Sequence, residues 1–180
     1  MAIKVMADSG GTITYSAAEV GAAWNSFAGG SDYVIGDIGE EMSVTTSTSS
    51  LEATVKSGRA VLNGRLIEVT SNTSVNVPAS VSNYYLVLRV DLSQPLGSEG
   101  SITYLTGSSQ VKTENLNNGS SGKHDLILGT FTSGASGITS FTDLRSVINP
   151  TGGMSKIRVI HDQNGNVLSD PLVFEIVKVV

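Results

Sequence analysis

The chain has no cysteine in its 180 residues. That excludes disulfides and thiolate metal sites, and it speaks against a small secreted domain of animal type. Histidine is nearly absent: His124 and His161 stand in no ligand spacing, and no serine in a Gly-x-Ser-x-Gly turn accompanies them, so zinc sites and histidine-based triads lack their parts. Charged residues are only 15% and the net charge is −5 without any basic run, the wrong electrostatics for neutralising phosphates, so no nucleic-acid partner is expected. No apolar stretch approaches the roughly 18 residues of a membrane span. The opening MAIKVMADSGG has no apolar core of signal-peptide length. Synthesis in the cytoplasm without membrane insertion is therefore expected. Aromatics are 6%, with one tryptophan, Trp24.

What is abundant is glycine, 20 residues, together with serine and threonine. This is the composition of an all-β chain with many turns. The organising stretch runs from Val55 to Leu92. Asn63-Gly64 sits between two apolar runs, a strong hairpin signal because both residues tolerate the positive φ of a type I′ turn. A two-residue turn there sets Leu62 opposite Arg65, Val61 opposite Leu66, Ala60 opposite Ile67 and Arg59 opposite Glu68. Alternation then puts Ala60, Leu62, Ile67 and Val69 on a core-facing side. Val61 and Leu66 fall on the other side, as a second packing layer or a subunit interface. Tyr84–Leu92 reads as the most strand-like run, with Tyr84, Leu86, Leu88, Val90 and Leu92 on one face and Tyr85, Val87, Arg89 and Asp91 on the other.

Elsewhere the pattern is coarser. Ser16 and Glu19 form a capping box. Val20, Ala23, Trp24 and Phe27 follow at helical spacing, and Gly29-Gly30 end the helix. Trp24 and Phe27 are expected to pack on a sheet or a neighbouring subunit, with Trp24 in the core. Asp37, Glu40 and Glu41 lie close together but without a cation-loop spacing, so a solvated loop is expected. Leu51, Ala53 and Val55 alternate, and Val75 and Val77 form a strand ended by Pro78. Residues 107–123, rich in Gly, Ser and Asn, are expected to be a mobile loop. In HDLILGTFTSG, Ile127 and Phe131 fall on one side and Leu126 and Leu128 on the other. After the break at Asn149-Pro150, a hairpin turning at Asn164-Gly165 leads into VFEIVKVV, whose Phe174 and Ile176 are interface candidates because an apolar edge invites pairing.

Chemistry is sparse. Asp162, Asn164 and Asn166 alternate as in a calcium loop, but the glycine comes early and Val173 stands where a bidentate Glu is needed. A glycosidase needs two carboxylates about 5 to 10 Å apart. Asp91 and Asp143 are the acids of interest, yet each is two residues from an arginine, Arg89 and Arg145. Arg89–Asp91 and Asp143–Arg145 are expected to be structural ion pairs, which lower a carboxylate pKa and unsuit it as a general acid. No catalytic site, cofactor or metal is expected.

Three pieces, taken in order, resemble a known family. They are Val55-Lys56-Ser57-Gly58-Arg59-Ala60-Val61-Leu62-Asn63-Gly64, Leu88-Arg89-Val90-Asp91 and Asp143-Leu144-Arg145, preceded by the helix and SDYVIGD. Together, over residues 10–148, they resemble the N-terminal module of baseplate, tail-fibre and receptor-binding-complex structural proteins of siphophages that infect Gram-positive hosts. The resemblance implies a virion structural protein, a homotrimer, that links tail or baseplate proteins to receptor-binding parts. Family members commonly continue into a large C-terminal domain, whereas about thirty residues follow here, which favours an adaptor or short fibre. A carbohydrate-binding module for host cell-wall glycan is the alternative. The fold expected is mainly β: an antiparallel β-sandwich with one short N-terminal helix and a C-terminal β-hairpin, divided as residues 1–30, 31–149 and 150–180.

Overall fold

The computed structural model describes residues 17–27, 29–118, 121–149, 156–159 and 174–177. Helix α1 (Ala17–Phe27) comes first. It is followed by β1 (Tyr33–Ile35), β2 (Val44–Ser47), β3 (Ser50–Val55), β4 (Gly58–Leu62), β5 (Arg65–Val69) and β6 (Thr73–Asn76). Then come β7 (Tyr84–Asp91), β8 (Gly100–Leu105), β9 (Lys123–Ser133), β10 (Ile138–Asp143), β11 (Val147–Ile148), β12 (Lys156–Val159) and β13 (Phe174–Val177). The protein is mainly β, with antiparallel sheets and one short helix, as composition and alternation predict. Three sheets, ordered β11-β1-β4-β5, β10-β9-β7-β8 and β2-β3-β6, share one apolar core. Val34, Val55, Leu62, Leu86, Leu128 and Phe131 lie at its centre, and each buried aliphatic side chain contributes about 1.5–3 kcal/mol.

The chain divides into two units, Met1–Val147 and Ile148–Val180. The helix, set apart with residues 1–30 in the sequence reading, packs on β5 inside the first unit. In the second unit β12 pairs antiparallel with β13, Ile157 opposite Ile176 and Val159 opposite Phe174. The Asn164-Gly165 turn and the Ser16 cap lie outside the described residues.

The β4–β5 hairpin has the register derived from its turn: Leu62 opposite Arg65, Val61 opposite Leu66, Ala60 opposite Ile67, Arg59 opposite Glu68. Asn63 and Gly64 take φ of 48° and 80°, as a type I′ turn requires. Ala60 and Leu62 are fully buried, and Arg59 and Glu68 form a 3.0 Å ion pair on the opposite face. Gly64 is needed for a second reason. A Cβ there would stand 1.9 Å from the Gly21 carbonyl oxygen and 2.6 Å from the Asn25 nitrogen. The turn and α1 therefore touch backbone to backbone. The helix ends at Gly29 and Gly30, φ 64° and 75°, with the Gly30 N–H donating to the Asn25 carbonyl at 2.9 Å.

Two expectations are corrected. The pairing of β7 with β9 shifts register between Leu86 and Val87: Leu86 stands opposite Gly129, Val87 opposite Ile127. The extra residue on β9 reverses the alternation beyond it. Phe131, expected beside Ile127, therefore joins Leu126 and Leu128 in the core. Residues 107–123 are also not a free loop where described. The Asp125 N–H donates to the Lys112 carbonyl and the Glu114 N–H to the Lys123 carbonyl, which lays the segment along β9. Leu116 is fully buried; one leucine in a polar stretch pins it.

The double demand on Gly64 is testable. Gly64→Ala should destabilise by about 2–5 kcal/mol, combining positive-φ strain with a backbone clash. Gly97→Ala, at φ 87° with nothing near its Cβ, should cost about 1 kcal/mol. Urea unfolding midpoints compare the two, and equal costs would contradict the close approach.

Candidate functional site

Asn63 makes the turn and also joins it to two other segments. Its N–H donates to Asp32 Oδ1 at 2.8 Å, and its carbonyl accepts from Asn117 Nδ2 at 2.6 Å. Its side-chain oxygen accepts from the Leu116 N–H at 2.9 Å. The other oxygen of Asp32 meets His124 Nε2 at 2.7 Å, while His124 Nδ1 faces the Glu114 carbonyl at 2.9 Å. Both partners of this buried ring are acceptors, so only the doubly protonated imidazolium satisfies them. The hydrogen bond to Asp32 accordingly raises the His124 pKa above its ordinary 6.5, against the opposing effect of burial. No fixed sequence spacing links these residues, and only the Asn63-Gly64 pair marked the place.

The ion pairs also differ from the expected ones. Arg89 does not pair with Asp91. It forks onto Asp125, Nε–Oδ1 2.7 Å and Nη2–Oδ2 2.8 Å, and Asp91 takes Lys123 Nζ at 3.0 Å. The cause is strand geometry. Residues two apart on one strand are separated by about 6.5 Å, whereas directly opposed residues lie about 5 Å apart, and β9 sets Asp125 opposite Arg89 and Lys123 opposite Asp91. Hydrogen bonds from Ser93, then Lys123, hold the Asp91 carboxyl far below the usual carboxylate range. Asp143 and Arg145 do pair, Nη2–Oδ2 2.6 Å. Asp143 ends β10, and the bend beyond it lets the Arg145 N–H donate back to Asp143 Oδ1 at 3.0 Å. Arg145 lowers the Asp143 pKa and also donates to the Glu41 carbonyl, fixing the loop after β1. Near there the Asp37 N–H donates to Glu41 Oε1 at 3.0 Å and Glu40 lies 3.9 Å from Lys56. Among the described residues no cluster of acids, His and Cys is arranged to hold a metal.

One open feature is apolar. A groove of about 850 Å³ is lined by Val20 and Trp24 of the helix, by Tyr33, Val61 and Leu66 of the sheet, and by Leu92 beyond β7. Tyr33 stands opposite Val61 and Val61 opposite Leu66, so the three share one face across β1, β4 and β5. Trp24 is 61% exposed and Leu66 62%, so the expectation of Trp24 as core is overturned. The helix meets the turn through Gly21, whose Cβ would stand 2.3 Å from Asn117 Oδ1. That close face leaves the Val20–Trp24 stripe as a groove wall. The interface candidates Val61, Leu66 and Trp24 thus converge. The Phe27 side chain lies outside the described residues, and Phe174 and Ile176 belong to the second unit. Glu99 is the one carboxylate among the groove's described lining residues, so a pair of acids for glycoside cleavage is not assembled there. Among the described residues no helix is long and apolar enough to cross a membrane.

No known protein-family model matches the chain, and no curated protein matches it at a significant level.

Two outcomes follow from this geometry. Arg89→Ala would leave the Asp125 carboxylate, whose side chain is fully buried, without its bidentate partner, and should cost about 3 kcal/mol in chemical denaturation. For His124 the folded pKa lies above the unfolded 6.5, so its contribution is complete below pH 6.5 and is lost as pH rises through the folded value. The melting temperature of the wild type should therefore fall from pH 6 to pH 9 more steeply than that of His124→Gln. Parallel profiles would contradict the imidazolium assignment.

Proposed function

We propose that the chain is a virion structural protein of a phage tail tip, baseplate or short fibre, a homotrimer that joins the tail to receptor-binding components, with no catalytic role. The groove carries this reading. An apolar row across three strands, half-buried at Tyr33 and Val61 and exposed at Leu66, continued by a helix stripe, is the kind of surface that protein–protein association covers. The motif residues that resemble the siphophage module support it further, because they act as scaffold. A Cβ on Gly58 would lie 2.6 Å from the Met42 nitrogen, Ala60 is fully buried, Gly64 receives the helix, and Arg89 and Arg145 each anchor a neighbouring segment. Motifs of this kind preserve a shape. The virion is the location this reading implies, and other tail or baseplate proteins are its partners.

A second reading keeps one specific support: Trp24 is more than half exposed on the wall of a groove that Tyr33 also lines, and an exposed aromatic ring offers an apolar face on which a sugar can stack. It predicts binding of host cell-wall glycan that Trp24→Ala abolishes.

Light scattering should give a mass three times the 18.7 kDa chain. Val61→Glu should shift that mass toward the monomer with little change in melting temperature. A trimer that persists in Val61→Glu with a lowered melting temperature would make the pair mere core. Mass spectrometry of purified particles tests the virion location, and absence of the chain from them would overturn it.

A further inference from the structure

Beyond the groove, the surface carries one apolar side chain out of proportion to the rest. Leu96 is 96% exposed, at the tip of the β7–β8 connection. A single exposed leucine is unremarkable on a floppy loop, but this loop is braced throughout. Asp91 Oδ1 accepts from the Ser93 N–H at 3.0 Å and from Ser93 Oγ at 2.5 Å, and Asp91 Oδ2 accepts from Gln94 Nε2 at 3.2 Å. The Ser98 N–H donates to the Pro95 carbonyl at 2.9 Å. Gly97, at φ 87°, donates its N–H to Glu99 Oε2 at 2.6 Å. Asp91 itself is tied to β9 through Lys123. The entropy of holding Leu96 outward is thus already met in the free chain, which is how preorganised contact residues gain affinity.

The same molecule holds the complement. The groove is apolar, open, and within the size range of sites that bury an inserted group, and Leu92 and Glu99, which flank the Leu96 loop, line it. Leu96 does not occupy the groove of its own chain, since it is almost wholly exposed. In an odd-numbered oligomer such as the trimer proposed above, a contact of Leu96 with the groove of the next copy is head-to-tail, and three such contacts close a ring.

We propose that Leu96 of one copy seats in the groove between α1 and the β1-β4-β5 face of a second copy, the contact repeating around a closed ring. This rests on the homo-oligomer reading and specifies how the copies meet.

The chain has no native cysteine, so introduced thiols report cleanly. Leu96→Cys and Leu66→Cys variants, co-expressed and mildly oxidised, should give a disulfide-linked heterodimer, with neither variant alone giving a comparable product. Leu96→Asp should weaken association at least about tenfold, the effect of losing one central anchor, while leaving the melting temperature of the dissociated chain unchanged. An oligomer by light scattering without that cross-link overturns this inference and leaves the oligomer reading standing. Cross-linking of Leu96→Cys to itself at equal yield overturns it too, because it indicates a two-fold contact. A monomer at all concentrations overturns both.

Discussion

The backbone and side-chain hydrogen bonds of Asn63 tie together parts of this molecule that are far apart in sequence. The residue has to adopt positive φ for the hairpin to close, and in doing so it turns its N–H to Asp32 and its carbonyl and amide oxygen to residues 116 and 117. Through Asp32 the network reaches the buried ring of His124 on β9. One turn therefore ties the strand before it, the segment over it and the neighbouring sheet. Because Gly64 presents bare backbone at the same place, α1 settles directly on the turn. The helix is then held at a height that leaves Val20 and Trp24 beside the sheet instead of on it.

From that height comes the groove. An amphipathic helix ordinarily buries its apolar stripe against its own sheet. Here the closest contact is made through glycine, and the apolar stripe faces an equally apolar row of sheet residues across a gap. Meanwhile charged side chains pair with one another inside the fold: Arg89 with Asp125, Lys123 with Asp91, Arg145 with Asp143. Charge holds strands and loops in place, and the groove is left largely apolar. A low charge content is consistent with such a division, since few ionic groups are left to keep the groove solvated.

Much of the fold was legible because it depends on local rules. The Asn-Gly turn set a register that holds through all five residue pairs of the hairpin, and alternation found the buried side of β4. Alternation failed at β9 because a bulge adds one residue and reverses the sides beside Gly129; an isolated glycine inside a strand pattern is the signal that could have marked it. The Arg89–Asp91 pairing was misread because sequence proximity was taken for spatial proximity, whereas a strand's nearest neighbours lie across the sheet. The site was half legible. Val61 and Leu66 followed from register alone. Asp32, His124 and Leu116 are joined only by tertiary contacts 31 to 92 residues apart, which no short-range pattern encodes. Trp24 was misjudged for the same reason: helical periodicity says which residues share a face, and the close contact at Gly21 decides whether that face is covered.

Trp24 is the single tryptophan of the chain, so its fluorescence reports on the groove wall without labelling. If a second copy covers the groove, the emission maximum at high protein concentration lies toward the blue. It should move to the red on dilution, with a midpoint that matches dissociation of the oligomer. An emission maximum that stays red while the measured mass rises with concentration would contradict the account, because the copies would then be meeting on some other face.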